Sequence, residues 1–135
     1  MENIRIGKIS SIDYEKGMAK VMYSDRDDAV TKLLPILTFN DEYKMPQIGS
    51  HVLVVHLSNG SELGYILGGY WNIAHAPGKT GKGVFRKEYG SKPGMAYCEY
   101  NDENKILKIH SDKIVLSCAD GEITVEEIIR KLANL

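Results

Sequence analysis

The feature that most constrains this chain is its stretch from Lys44 to Asn72, KMPQIGSHVLVVHLSNGSELGYILGGYWN, where two apolar runs are punctuated by proline and glycine. A Met-Pro-x-x-Gly turn precedes the uncharged run VLVV, and the second run ends in an aromatic pair. Short apolar runs bounded by Gly, Pro and Asn are typical of β-strands and tight turns. The stretch therefore predicts two strands joined by the turn SNGS, with Val52 to Val55 filling a core.

The segment from Met1 to Asn72 predicts five strands with turn signals between them and no helical stripe. The strand sequences are IRIGKISSIDY, MAKVMYS, AVTKLLPIL, HVLVVHL and ELGYILGGYW. Five strands in this length, with the longest irregular connection between the third and the fourth, match a small Greek-key barrel of the OB type.

A barrel this small needs strongly bent strands, and glycine is the residue that permits them. The apolar positions change parity between Ile6 and Ile9, which predicts a bulge or bend at Gly7. Gly64 and Gly68 are expected to bend the last strand. Pro35 cannot donate to a ladder and therefore marks an edge or the end of the third strand.

Three segments follow from this pattern: an OB barrel over residues 1–72, a Gly/Lys-rich linker over 73–94, and short strands with a helix over 95–135. The predicted C-terminal strands, MAYCEY, KILKIH, KIVLSC and ADGEI, form a meander. Strands of about five residues bury little by themselves. They are expected either to pack on the barrel or to pair with copies in other subunits.

The chain ends in TVEEIIRKLANL, which predicts a helix. Thr124 and Glu127 form a capping box. The apolar residues fall on one face, and four of them have the spacing of a short coiled-coil seam: Val125, Ile128, Leu132 and Leu135. Three turns are marginal alone, so the helix needs a surface, either in its own subunit or in an oligomer.

Composition excludes several classes of protein. A formal net charge of -1 argues against binding DNA by bulk electrostatics but leaves a local basic groove open. The N-terminus has no hydrophobic signal region, and no apolar run is long enough to span a bilayer, so we expect synthesis in the cytoplasm. Cys98 and Cys118 lack C-x-x-C spacing and are expected to be reduced, half-buried thiols.

Candidate catalytic and ligand-binding motifs fail on spacing. GKTGKG, residues 78–83, resembles a phosphate loop, but the first glycine of that pattern is replaced by Ile73. His51 and His56 have opposite parity on one strand and are expected to point to opposite faces. DRDD, residues 25–28, lacks the spacing of a calcium loop. The serines lack a G-x-S-x-G elbow, so we predict a protein that is not an enzyme and has no cofactor or metal.

The order and spacing of these motifs resemble the OB-fold domain of phage baseplate assembly protein V, the central spike of contractile tails, to which type VI secretion spike proteins are related. The matching elements are Gly7 to Ile9, Val21, Leu34 to Pro35, Tyr43 to Val54 and Leu63 to Asn72. The family pattern carried by these elements includes Met45, Pro46, Gly49, Gly64, Gly68 and Asn72. The resemblance extends from the start of the chain to Asn72.

The resemblance implies a homotrimeric structural subunit of the tail spike, made in the bacterial cytoplasm and assembled into a virion or a phage-tail-like bacteriocin. Its implied partners are baseplate hub and tail-tube proteins, a separate tip protein and, transiently, the target cell envelope; nucleic acid is not among them. The short C-terminal strands are compatible with a trimeric β-prism. Ser50 stands where the family usually has Asp, and there is no H-x-H motif, so no apical iron is expected.

One other function remains open from the residues themselves. OB barrels also bind single-stranded nucleic acid or carbohydrate through stacking aromatics. The aromatics between Met1 and Asn72 are not clustered with Lys or Arg, and Tyr65 and Tyr70 have no basic neighbour nearby in sequence. A monomeric OB-fold binding module is therefore the alternative to a spike subunit.

Overall fold

The computed structural model describes residues 3–57 and 63–135 as a mainly β chain with one C-terminal helix, which confirms the predicted fold class. The chain divides into two compact units, Met1–Ala76 and Pro77–Leu135. The predicted turn SNGS lies outside the described residues.

The first unit is an antiparallel sheet in the order β3-β2-β1-β5-β6, with β4 also paired to β2. The strands are β1 (Ile4–Asp13), β2 (Met18–Tyr23), β3 (Ala29–Val30), β4 (Leu34–Pro35), β5 (His51–His56) and β6 (Gly64–Gly68). One parallel bridge joins Ile36, just after β4, to Ile66 of β6. The described strands do not form a closed barrel, so the OB topology remains a prediction.

The hydrophobic core lies on one face of this sheet. Its members are Ile9, Ala19, Val21, Tyr23, Leu34, Val52, Val54 and Ile66. Strand β5 alternates strictly: Val52 and Val54 are buried, whereas Leu53 and Val55 are half-buried on the opposite face. The prediction that all of Val52 to Val55 fills the core is therefore wrong for every second residue, because side chains alternate across a strand.

The bulge predicted at Gly7 lies three residues later. The register between β1 and β2 shifts between Ile9 and Ser11, which leaves Ser10 as the extra residue. The parity change that suggested Gly7 has another cause, because Ile4 and Ile6 face away from the core.

Two of the three glycines predicted to bend strands have a different role. A Cβ at Gly7 would collide with Val21, and one at Gly64 would lie 2.6 Å from the carbonyl oxygen of Val55. These two positions need glycine because neighbouring groups approach closely. Gly68, at the end of β6, has the positive φ of 131° that a bend requires.

The turn before β5 has the predicted glycine. Ser50 donates its backbone N–H to the carbonyl of Gln47 at 3.1 Å, and Gly49 between them has a φ of 87°. Gly49 donates to Ile9 O and Ile9 donates to Ser50 O, so the turn is tied to β1. A positive φ at the third residue of such a turn favours glycine.

The predicted third strand, AVTKLLPIL, is two short strands, β3 and β4. Between them Thr31 donates its N–H to Val21 O, and its hydroxyl oxygen accepts from Val21 N at 3.0 Å. The side chain of Thr31 thus takes the place of a backbone acceptor and interrupts the ladder. Pro35 is the last residue of β4.

The second unit contains five strands and the helix. They are β7 (Val84–Glu88), β8 (Tyr97–Asn101), β9 (Ile106–His110), β10 (Val115–Cys118), β11 (Gly121–Thr124) and α1 (Val125–Ala133). Strands β7, β8 and β9 form one antiparallel sheet, and β10 and β11 form a hairpin. Because β7 lies inside the predicted linker, residues 73–94, that segment is not a linker along its whole length.

The helix begins as the sequence predicts. The hydroxyl oxygen of Thr124 accepts a hydrogen bond from the backbone N–H of Glu127 at 3.1 Å. This contact satisfies one of the free N–H groups of the first turn. No helix in the described part of the chain is long and apolar enough to cross a membrane.

Candidate interaction surfaces

The face of the first sheet opposite the core is apolar at one end. We define the outer patch as Ile4, Ile6, Leu53, Val55 and Tyr65. Strand register places Ile4 beside Val55 and Val55 beside Tyr65, with Ile6 beside Leu53 in the next row. Ile4 is 61% exposed and Ile6 is 55% exposed. A sheet that is apolar on both faces is usually covered on both, so this patch is a candidate interface.

The outer patch gives way to basic residues along β1. In the row after Ile6, Lys8 pairs with Met22 on one side and with His51 on the other. Lys20 follows beside Ser11. The face is thus apolar at the start of β1 and positively charged further along it.

A narrow turn after β6 presents the chain's single tryptophan. We define the aromatic turn as Tyr70 to His75. Asn72 and His75 exchange both backbone hydrogen bonds, and the Asn72 side chain accepts a third from His75 N at 2.8 Å. Trp71 is 62% exposed and its ring lies 4.7 Å from that of His75. Ile73, at the tip, is fully exposed.

The second unit lacks buried residues. The structure describes all of residues 77–135, and every one of them is half-buried or exposed. The buried hydrophobic residues of the described chain all lie in the first unit. Five strands and a helix therefore form in a segment that encloses no core of its own.

The β7–β9 sheet is amphipathic. Alternation places Lys87 and five less polar residues on one face; we call these five the apolar face: Phe85, Cys98, Tyr100, Leu107 and Ile109. Phe85, Leu107 and Ile109 are each more than 60% exposed. Tyr100 lies between Phe85 and Leu107 in one row, and Cys98 lies beside Ile109 in the next. This face is continuous across three strands.

The other face of that sheet carries a polar network centred on Arg86. Its guanidinium binds Glu88 at 2.6 Å and Glu99 at 2.8 Å, and it lies 3.4 Å from the ring centroid of Tyr97. Tyr97 in turn stacks on His110. Burial opposes the charge on Arg86, but the hydrogen bonds to both carboxylates raise its pKa above the ordinary value. The ion pairs of the β7–β9 sheet are thus on the face opposite Phe85, Tyr100 and Leu107.

Helix α1 leaves much of its apolar stripe exposed. Among the predicted seam residues, Val125 and Ile128 are half-buried, whereas Leu132 is 63% and Leu135 is 98% exposed. Ile129, on the same side, is also exposed. No residue of the helix is buried.

A polar cluster is enclosed in the first unit. The Tyr23 hydroxyl lies 2.6 Å from Nε2 of His56, and the Arg5 guanidinium lies 3.9 Å from the centroid of the Tyr23 ring. Arg5 also binds Asp25 at 2.9 Å. Burial raises the pKa of the Tyr23 phenol; Arg5 opposes the rise and Asp25 adds to it. Since Tyr23 and His56 are almost fully buried, this cluster stabilises the fold and is not open to a substrate.

Each motif with candidate chemistry has a separate position within its own unit. His51 is half-buried and His56 is buried, on opposite faces of β5 as predicted. Asp25 forms an ion pair with Arg5. The loop of residues 78–83 leads into strand β7. Cys98 is half-buried as expected, but Cys118 is exposed. Within residues 3–57 and 63–135, no three His, Cys, Asp or Glu side chains form a group that could hold a metal ion.

The predicted barrel-motif residues are spread over the first unit. Gly7 packs under the side chains of Val21 and Tyr23, and Gly64 packs against the backbone of Val55. Pro35 ends β4, and Met45 and Pro46 are half-buried before the turn. Gly49 and Gly68 hold turns, and Asn72 closes the aromatic turn. They have architectural positions and do not line one site. Sequence reasoning missed the outer patch, although the alternation in Ile4-Arg5-Ile6 and the unbroken run VLVV were signals for it.

No protein-family model matches the chain, and no curated protein matches it. The surfaces described above and the sequence resemblance over residues 1–72 are therefore the observations that bear on function.

Proposed function

We propose that this chain is a structural subunit of the central spike at the tip of a contractile phage tail or phage-tail-like particle. Three copies would surround one axis, cap the tail tube and help to pierce the target cell envelope. An OB-type first unit would contact the baseplate hub and the end of the tube.

The observation that carries the proposal is the second unit, which has strands and a helix but no buried residue. A protein segment becomes ordered only when burial and hydrogen bonding offset roughly 1–2 kcal/mol of backbone entropy per residue. Burying apolar surface contributes about 25 cal/mol per Å². The exposed apolar face of β7–β9 and the stripe of α1 can supply this only against another surface, and further copies of the chain provide one in a homotrimer.

The proposed trimer would resist force because strands of different subunits would pair with one another. Strands β7 and β9 are the two edges of their three-stranded sheet. Such edges pair readily with other chains. In a trimer of this kind many backbone hydrogen bonds must break together before the subunits separate. Sheath contraction would supply the force, and the trimer would transmit it without unfolding.

The sequence resemblance supports the same proposal from the other end of the chain. Gly49 and Asn72, two of its motif residues, form turns on either side of β5 and β6. Within the described residues, a parallel bridge between Ile36 and Ile66 joins two segments that an OB-type barrel would bring together. The short second unit and its helix would form a stubby point or dock a separate tip protein.

The oligomeric state of face variants tests the proposal. Leu107→Lys introduces a charge into the apolar face and should convert a trimer into monomers, measured by light scattering at micromolar concentration. Lys108→Gln, one residue away on the opposite face, is the matched control and should leave the trimer intact. A wild-type chain that is a stable monomer would refute the spike assignment. Tight oligonucleotide binding with a steep salt dependence would instead favour the OB-fold binding module.

A further inference from the structure

We infer that the aromatic turn of one copy docks on the outer patch of the first unit of a neighbouring copy. The inference rests on the proposed homotrimer and adds to it a second contact, between first units.

The aromatic turn is built as a rigid projection. The three hydrogen bonds between Asn72 and His75 fix its backbone, and Nδ1 of His75 lies 3.1 Å from the carbonyl oxygen of Tyr70. Trp71 and Ile73 project from this frame into solvent. A side chain that is already held in place loses little entropy on binding, which is the usual property of an interface anchor. Tryptophan is among the residue types most often found in that role.

The outer patch is a suitable counterpart. Its five side chains form two adjacent rows on three strands, and none of them is charged. A surface of this kind gives a flat apolar floor on which a projecting ring can lie. Burial of Ile4 and Ile6, both more than half exposed, would remove the largest apolar residues of that end of β1 from water.

The two surfaces are different parts of the same sheet. The aromatic turn follows the end of β6 near His51, whose ring lies 6.5 Å from that of Tyr70. The row of Ile4, Val55 and Tyr65 lies at the other end, and the row of Ile6 and Leu53 lies between that row and His51. A contact between different surfaces of identical chains is heterologous, and such contacts form a ring when the rotation closes. This is the symmetry that a trimer around one axis requires.

Charge does not oppose the contact. The sequence from Leu63 to Ala76 contains no Asp, Glu, Lys or Arg. Along β1, the first charge on the same face as the patch is Lys8, one row beyond Ile6. Between the described residues of the two surfaces, docking would therefore bury no unpaired formal charge, which would be costly.

The size of the contact defines its role. A buried tryptophan removes about 150–250 Å² from water. A stable interface needs about 800 Å² per partner, so the docked turn cannot hold three chains together alone. It would fix the position of the first units in an assembly that the second units hold together.

Trp71 is the only tryptophan, so its fluorescence reports this contact directly. In the full-length trimer we expect the emission of a buried indole, with low quenching by acrylamide. Ile6→Asp should shift the emission to that of an indole in water and raise the quenching several-fold while the sedimenting mass stays that of the trimer. Ile73→Ser should produce a smaller shift in the same direction. Phe39→Ser, at an equally exposed apolar residue outside both surfaces, should change neither quantity.

Each other result overturns the inference. A trimer in which acrylamide quenches Trp71 as strongly as an indole in water refutes the docking and leaves the proposed function intact. The same conclusion follows if Trp71 is protected but neither Ile6→Asp nor Ile73→Ser exposes it. A chain that remains monomeric refutes the proposed function, and the inference falls with it.

Discussion

The Tyr23 side chain on β2 reaches across β1 to form a hydrogen bond of 2.6 Å with His56 on β5. It passes over Gly7, where a Cβ atom would lie 2.8 Å from the Tyr23 ring. The bond therefore ties together two strands that are not neighbours in the sheet. Nδ1 of His56 has no hydrogen-bond partner within the described residues, so Tyr23 is the contact that satisfies this buried ring.

Tyr23→Phe should destabilise the first unit because it removes this partner and leaves a buried imidazole without a hydrogen bond. The free energy of unfolding should fall by about 1–3 kcal/mol, the usual cost of an unsatisfied buried polar group. Urea denaturation measures the change. Tyr14→Phe, at an exposed ring, is the control and should be nearly neutral; equal effects of the two substitutions would contradict the role given to the bond.

Alkaline pH should loosen the same cluster. Burial raises the pKa of the Tyr23 phenol above its ordinary value of 10.0. The neutral phenol is favoured in the folded state, so its contribution to stability is complete below pH 10 and is lost as the pH rises through the folded pKa. A tyrosinate absorbance titration should contain a late component that Tyr23→Phe removes. A titration curve unchanged in shape by that substitution would count against a buried phenol.

Gly7→Ala should be disruptive because the added methyl group meets both Val21 and the Tyr23 ring. Overpacking of this kind costs about 1–3 kcal/mol, and here the Tyr23–His56 bond would be displaced as well. The thermal midpoint of the first unit should fall. Gly69→Ala is the matched control, since its Cβ would meet no atom closer than 3.6 Å. Equal thermal midpoints for the two variants would show that β1 shifts to accommodate the added methyl group at no cost in stability.

Much of the fold was predictable because its signals are local. Alternating apolar residues, turn glycines and the Thr124 capping box depend on neighbours within a few positions, and they correctly indicated a mainly β chain with a terminal helix. The turn at Gly49 is an example, since a glycine with positive φ is a property of the turn itself. Most strands of the second unit were found for the same reason.

The errors arose where a residue's role depends on a distant strand. Gly7 looked like a bend, but its reason lies in the Tyr23 ring that crosses it. The glycines and lysines before β7 indicate a linker, whereas the pairing of β7 with β8 decides its structure. An unbroken apolar run such as VLVV is typical of a strand buried on both faces, so the run alone does not show that Leu53 and Val55 lie on a face without a covering layer. The local pattern of apolar residues does not predict which surface covers such a face.

Leu132→Asp tests the predicted helix seam of Val125, Ile128, Leu132 and Leu135. Leu132 is 63% exposed in the single chain, so the change should leave the chain folded and dissociate the assembly if the helix packs between subunits. The sedimenting mass and the helical circular dichroism are measured together. Lys131→Glu, on the polar side of the same turn, should leave the mass unchanged. A Leu132→Asp variant with the wild-type mass would place the helix against its own subunit.

Sedimentation equilibrium of the wild-type chain at micromolar concentration tests the central claim most directly. Because residues 77–135 enclose no core, we expect one species of three times the chain mass, stable to dilution. Its mass should fall to that of one chain in Leu107→Lys and remain unchanged in Lys108→Gln. A wild-type protein that sediments as a folded monomer would contradict the account.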